Sequence, residues 1–193
     1  LAQLRFERPS PTGWGDALEL ALFHRHERKT FRDPDILFAA PIDDTTRLDA
    51  MGLRGSDVWE LHRETFSLET TLRLDASYDR VESTDRPTRG RPNAAGAVHS
   101  KLGLADDALL VTAGVRLDWF DGFDAQLLPE VGVVYQPFDW LRARAQFTRA
   151  YRAPSLDELF HPDQGFLRGN PNLEAEDSWN LDGGFELELT GLG

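Results

Sequence analysis

Between Thr65 and Asp79 the side chains sort onto two faces with a period of two. Phe66, Leu68, Thr70, Leu72, Leu74, Ala76 and Tyr78 alternate with Thr65, Ser67, Glu69, Thr71, Arg73, Asp75, Ser77 and Asp79. Only an extended strand separates them this way, because successive Cβ atoms of a strand point to opposite faces. The run is far longer than the roughly 5–6 residues of an ordinary globular strand. The pattern returns at 107–120, with Leu109, Val111, Ala113, Val115, Leu117 and Trp119 on one side, and at 177–190, with Trp179, Leu181, Phe185 and Leu187. Strands this long with one apolar face need either a second sheet or lipid against that face.

Alternation along the whole chain predicts about nine strands, at 1–8, 17–31, 45–57, 64–80, 95–105, 107–120, 130–137, 140–151 and 177–190. The third is irregular, since Leu48 and Ala50 have one parity and Met51 and Leu53 the other, so a bulge is expected there. Connections are tight at 105–108 and 136–140. They are long and rich in Pro, Gly, Asn or Asp at 33–44, 81–94 and 152–176, with a shorter one at 121–129. Short turns at one end and long loops at the other is the build of an outer-membrane barrel. A charged residue facing lipid costs about 2–4 kcal/mol at mid-membrane for Arg or Lys. The apolar set Phe66, Leu68, Leu72, Leu74, Val111, Val115, Leu117, Phe147, Leu181, Phe185 and Leu187 is therefore expected outside, and Glu69, Arg73, Arg116, Arg142, Arg144, Asp182 and Glu186 inside. Trp119, Trp140, Tyr151 and Trp179, near strand ends, are expected to form aromatic girdles.

Composition narrows the function classes. A mean hydropathy of -0.44 with 28% charged residues leaves no room for a membrane-crossing helix, a test that barrel strands escape. A net charge of -12 argues against nucleic acid as partner. Cysteine is absent, so there is no disulfide frame or thiolate site. No G-x-S-x-G, Gly-rich phosphate loop or H-E-x-x-H is present, and no enzyme is expected.

Two segments, RAPSLDELF at 152–160 and GNPNLEAEDSW at 169–179, close one alternating strand and open the next. Together they resemble the loop near the C-terminal end of the barrel of TonB-dependent outer-membrane receptors, and the resemblance is best from about Ala95 onward. It implies an all-β, antiparallel up-and-down transmembrane β-barrel of about 22 strands. Residues 1–193 would supply part of that one barrel domain, a partial barrel of about nine strands. The chain begins at Leu1 without a signal peptide, so it is expected to be an internal piece, with the plug domain and barrel closure outside it. The implied function is energy-coupled uptake of a scarce nutrient, such as a ferric siderophore, cobalamin or haem, across the outer membrane of a Gram-negative bacterium. Implied partners are outer-membrane lipid and lipopolysaccharide, a small metal-chelate or cofactor cargo, and the TonB complex acting through the N-terminal plug. No resident cofactor is implied. A soluble all-β carbohydrate-binding module is the alternative, and a small barrel with hydrolase activity a further rival.

Within the loop, Arg152, Asp157, Glu158, Phe160, His161, Arg168 and Asn170 are the expected ligand contacts at the barrel mouth, since loops on rigid scaffolds often carry function. Pro154, Gly169, Asn170 and Pro171 also read as turn builders, and Ser155-Leu-Asp-Glu158 as the cap of one helical turn. His24 and His26 share a strand face, but no third ligand accompanies them, so they read as a solvated strand end with no metal. The locally basic block 86–92 could meet anionic lipopolysaccharide or an anionic cargo, but a solvated loop is the preferred reading.

Overall fold

The computed structural model describes residues 2–8, 17–33, 42–84, 86–161 and 168–188. They form nine strands: β1 Ala2–Arg8, β2 Ala17–Asp33, β3 Ile42–Arg63, β4 Phe66–Ser83, β5 Arg86–Leu104, β6 Leu109–Phe120, β7 Gln126–Phe138, β8 Leu141–Arg152 and β9 Glu176–Leu187. One short helix, α1 (Leu156–Phe160), lies between β8 and β9. All nine belong to a single sheet in sequence order, and each pairs antiparallel with the next. Among the described residues, β1 and β9 each pair on one side only, so the sheet is open at both edges.

Register carries the apolar parity of each strand onto that of its neighbour. Leu4 is opposite Leu22 and Leu22 opposite Leu53. Leu72 is opposite Val98, Val98 opposite Val115, Val131 opposite Phe147, and Phe147 opposite Leu181. Every residue expected to face lipid lies on this one face, and the expected inward set lies on the other. No second sheet covers the apolar face among the described residues: Leu181 is 79% exposed, Phe185 73% and Leu4 69%. A sandwich would bury that face, so the soluble-module alternative is not favoured. Thr70 and Ser100 intrude on the apolar face, and their hydroxyls satisfy each other at 2.9 Å. The opposite face carries charge in mutual contact, with Arg54 Nε donating to Asp75 at 2.6 Å and Arg116 reaching the same carboxylate at 3.6 Å.

Aromatic rings bracket the apolar band. At the short-turn end Phe138 and Trp140 stack with centroids 5.3 Å apart, and Tyr135 lies exposed nearby. At the other end are Tyr78, Trp119 and Trp179, the last stacked on Phe147 at 5.3 Å. Leu109 to Trp119 spans about 34 Å along the strand at about 3.4 Å per residue, or about 24 Å in height at a tilt of about 45°, close to the apolar band of a barrel. Tyr151 departs from the girdle expectation. Its ring lies 6.3 Å from Phe120, and it lines the cleft described below.

The structure corrects three expectations about connections and register. The expected long loop at 81–94 is a hairpin continuation, with β4 running to Ser83 and β5 starting at Arg86. Pro87 and Pro92 argued for a loop, but β6 ends at Phe120 opposite Asn93. Beyond that point β5 pairs with β4 alone, and such an edge tolerates proline. The irregular third strand contains no bulge, because its register with β2 and β4 runs unbroken through Leu48, Ala50, Met51 and Leu53. Ala50 and Val81 are instead buried on the polar face at the loop end, at 6% and 5% exposure, where that face is covered. Finally, the connection expected at 121–129 shortens to 121–125, since Gln126 to Pro129 pair with β6. Residues 34–41 of the first expected loop lie outside the described residues.

Two outcomes test this architecture. Leu72→Arg in the complete barrel is expected to cost about 2–4 kcal/mol, whereas Thr71→Arg, one residue along on the charged face, is expected to cost about 0.5 kcal/mol or less. Denaturant titration of the folded, heat-modifiable form reads the difference. The described residues of the chain leave β1 and β9 unpaired on one side, so the chain produced alone is expected to aggregate and show no heat-modifiable monomer on electrophoresis from detergent.

Candidate functional site

At the long-loop end the chain leaves β8 and turns over the polar face. Ser155 caps α1: its Oγ accepts from the Glu158 amide at 3.1 Å, and Glu158 Oε2 accepts from the Ser155 amide at 2.7 Å. This reciprocal pair satisfies two of the amides that a helix start leaves open. Leu156 and Leu159 are buried, which points the helix's apolar side inward. Arg91, itself buried, donates from Nη1 to the Pro154 carbonyl at 2.6 Å and ties the start of the loop to β5.

Arg152 is the hub of the loop base. Its guanidinium makes two hydrogen bonds to Glu158, at 3.1 and 3.0 Å, and two to Glu176, at 3.0 and 2.8 Å. These forked, charge-assisted contacts join the last residue of β8, the helix and the first residue of β9. They hold the Glu158 carboxyl down at about 2, the Arg152 bonds contributing most and the Ser155 amide next. The Arg152 bonds also lower the Glu176 carboxyl and in return raise the Arg152 guanidinium.

The returning strand of the loop packs on the helix end by backbone contact. The Gly169 amide donates to the His161 carbonyl at 2.8 Å, and the Asn170 amide to the Glu158 carbonyl at 2.9 Å. A Cβ at Gly169 would lie 2.3 Å from the His161 nitrogen and 2.7 Å from that of Phe160, both rigid backbone atoms. Asn170 Oδ1 accepts from the Asn172 amide at 3.0 Å, closing an Asx turn.

A cleft of about 750 Å³ opens between this loop, the top of β5 and the 121–125 connection, lined by Arg89, Asp121, Asp124, Tyr151, Phe160 and Asn172 among others. The Arg89 guanidinium lies 4.7 Å over the Phe160 ring, and that of Arg91 lies 5.2 Å over Phe120. Rings, guanidinium groups and carboxylates therefore share one concave surface, a mix suited to orienting a mostly planar ligand through a few polar contacts.

The expected contact residues divide by environment. Phe160 lines the cleft, and Asn172 does so where Asn170 does not. Arg152 and Glu158 are committed to the clamp below it. Asp157 is 3.4 Å from His161 Nδ1, and His161 Nε2 is enclosed without a hydrogen-bond partner among the described residues. Asn170 builds the turn, and Arg168 is exposed where the chain re-enters the described residues. Pro162 lies outside them. Arg89 and Arg91 are not among the expected contact residues, because their basic block reads first as a solvated loop and only second as a contact for anionic cargo. Only the pairing of β5 with β4 brings that block to the cleft wall.

The TonB dependent receptor-like, β-barrel family matches the chain over residues 2–193. The hemoglobin-haptoglobin-binding protein A of Haemophilus influenzae is 42% identical over 50 residues, covering 24% of this chain and 5% of that protein. The hemin receptor of Yersinia enterocolitica is 25% identical over 141 residues, covering 60% and 20%. A variant of the ferric enterobactin receptor PfeA from Pseudomonas aeruginosa superposes with a TM-score of 0.79 at 18% identity, covering 98% of this chain and 32% of that structure. The siderophore receptor PirA from Acinetobacter baumannii gives 0.73 at 15%, covering 97% and 32%. The chain thus has the fold of about a third of each barrel protein, and it spans a fifth or less of these curated relatives.

Two measurements probe the loop. Gly169→Ala is expected to undock 169–172 from α1, seen as faster amide exchange at Gly169 and Asn170 with the strands unchanged. The Glu158 pKa is depressed in the folded state, so its contribution to docking is fully present above its ordinary value of 4.5 and is lost as pH falls toward about 2. Protection of the α1 amides, taken relative to the intrinsic exchange rate at each pH, should hold at pH 5 and fall between about pH 4 and 2, and Glu158→Gln should reduce that dependence to the part carried by Glu176.

Proposed function

The chain belongs to the TonB-dependent receptor family, and from that membership we infer that it forms part of the barrel wall and mouth of an outer-membrane receptor for a ferric siderophore or haem. Members of the family are outer-membrane proteins of Gram-negative bacteria. The observation that carries the cargo reading is the cleft where Arg89 stacks on Phe160. It lies at the long-loop end of the sheet, on the polar face that lines a barrel's lumen. A planar or aromatic chelate meets ring faces at Phe160 and Tyr151, and its anionic oxygens meet Arg89, with Arg168 exposed nearby.

In this reading the residues have different tasks. Arg89, Phe160 and Arg168 contact cargo, while His161, enclosed beside Asp157, supports the wall behind Phe160. Arg152, Glu158, Glu176 and Asn170 hold the loop that presents them. Energy reaches the barrel through a plug domain and the TonB complex outside residues 1–193, and lipid and lipopolysaccharide surround the apolar band. The names of the relatives support the cargo class, being haem-protein and haem receptors by sequence and siderophore receptors by fold.

The test uses the complete receptor on whole cells, with surface abundance of the barrel as control. Arg89→Ala with Phe160→Ala is expected to weaken binding of haem or of a ferric catecholate siderophore about 10-fold or more, since each lost cation–π or charged contact is worth on the order of 1 kcal/mol. Arg152→Ala is expected to weaken binding less and to accelerate amide exchange at 155–161 and 168–176. Unchanged affinity in the first variant at normal abundance would move the cargo site off this cleft.

A further inference from the structure

Between β7 and β8 the wall parts at its loop end. The two strands pair from Phe138 opposite Leu141 up to Glu130 opposite Thr148, and no further. Above that rung, among the described residues, Gln126–Pro129 pair with β6 alone and Arg149–Arg152 with β9 alone. Pro129 has no amide hydrogen with which to continue the ladder. The parting runs for about 13 Å along the strands. It begins at the level of Trp179, opposite Arg149 at the loop-end edge of the apolar band.

Arg149 spans the parting. Its Nη1 donates to the Leu127 carbonyl at 2.8 Å and its Nη2 to Gln126 at 3.0 Å, while Nε and Nη2 hold the two oxygens of Asp177 at 2.9 Å. The fork to Asp177 is an ion pair and anchors the guanidinium to β9. The two bonds to β7 end on neutral acceptors and are the weaker set. Arg149 is therefore a removable bar, able to release β7 and keep its ion pair.

Behind the bar lies a cavity of about 550 Å³, lined on the lumenal face by Arg73, His99 and Arg116 among others, and at the parting by Arg149 and Tyr151, whose parity is outward. Arg116 is compensated by Asp118 at 2.5 Å and Asp75 at 3.6 Å, and His99 lies 3.7 Å from Glu130. Arg73 is exposed and has no ion pair or hydrogen bond among the described residues, so its charge is open to an anion. Outside the parting the surface is apolar, with Leu127, Phe147 and Trp179 exposed. From β4, which carries Arg73, to β7 is three strand spacings, about 14 Å.

We propose that the parting of β7 and β8 is a side opening, barred by Arg149, that seats an amphiphilic cargo. The anionic head lies at Arg73 in the lumen, and a single acyl chain passes between Leu127 and Arg149 into the outer leaflet. The proposal rests on the barrel reading above and extends its cargo class to acylated chelates. A membrane phospholipid shares the chemistry, but its head belongs at the bilayer interface, so the lumenal position of Arg73 favours cargo.

The experiment uses the complete receptor in phosphatidylcholine nanodiscs, with hexadecanoate carrying a photoreactive diazirine at its chain end, and hexadecanol with the same group as the probe lacking an anion. Mass spectrometry locates the cross-links. Hexadecanoate should label Leu127, Phe147 and Trp179 saturably. Arg73→Gln, on the opposite face of the wall, should raise the half-saturating concentration about 10-fold or more, the loss of one charge-assisted contact. Arg149→Lys keeps the charge but not the reach to both β7 acceptors, and should increase labelling. Pro129→Val restores an amide to the ladder and should reduce it, and both variants should keep the heat-modifiable barrel. Hexadecanol should label the lipid face throughout, Leu72 and Val115 included, without responding to Arg73→Gln. An unlabelled ferric hydroxamate bearing a hexadecanoyl chain should compete, and the same chelate without the chain should not. The proposal is overturned by hexadecanoate labelling that ignores Arg73→Gln, by equal labelling at Leu72 and Val115, or by a decrease with Arg149→Lys. Competition from phosphatidylglycerol as strong as from the acylated chelate also overturns it. Hexadecanoate carries no metal, so its label would persist if the Arg89–Phe160 cleft failed to bind cargo. Loss of the label with haem or siderophore binding intact would sink the side opening alone.

Discussion

Everything in this sheet depends on the pairing of backbone amides and carbonyls between neighbouring strands. Hydrocarbon offers no water to replace a missing partner, and each open group there costs several kcal/mol. That constraint explains why β3, β4 and β5 run to about twenty residues each without a break at mid-band, and why the register shifts of the sheet lie toward strand ends, at Val81/Ser83 in β4 and Tyr135/Phe138 in β7. It also explains why intruding hydroxyls on the apolar face, Thr70 and Ser100, are bonded to each other.

Where the ladder lapses, side chains take over its work. The pairing of β7 with β8 stops at Glu130 opposite Thr148, next to Pro129, which has no amide hydrogen. Arg149 fills the opening. It donates to the freed Leu127 carbonyl at 2.8 Å, to Gln126 at 3.0 Å and to both oxygens of Asp177 at 2.9 Å, with its guanidinium 5.6 Å over Trp179. Three residues on, Arg152 does the same for the loop base. Arg149 does so at the level of Trp179, at the loop-end edge of the band, and Arg152 beyond it, so both guanidiniums lie on the headgroup and solvent side of mid-band.

Charge thus has a different meaning on each face. Inside, Arg54, Asp75 and Arg116 compensate one another from β3, β4 and β6, across a span of four strands, leaving a polar wall. At the mouth, arginines stack on rings and frame a cleft. Outside and above the band, Arg28 and Arg47 are directly opposite each other, with Glu82 on the far side of Arg47.

The period-two pattern by itself determined the strand count, the antiparallel class and the two faces, because parity is a local property of extended backbone and a charge cannot face lipid cheaply. It also located the capped turn at Ser155–Glu158, whose bonds span only three residues. Three features were decided by tertiary structure alone. Strand ends at 81–94 depended on where the neighbour β6 stops, which no window around Pro87 and Pro92 contains. The split of the loop residues into clamp and cleft lining depended on Glu176 and Arg89, distant in sequence from Arg152 and Phe160. The opposition of Arg28 and Arg47 depended on register, which is set by pairing along the whole length of β2 and β3 and not by either residue's neighbours in the chain.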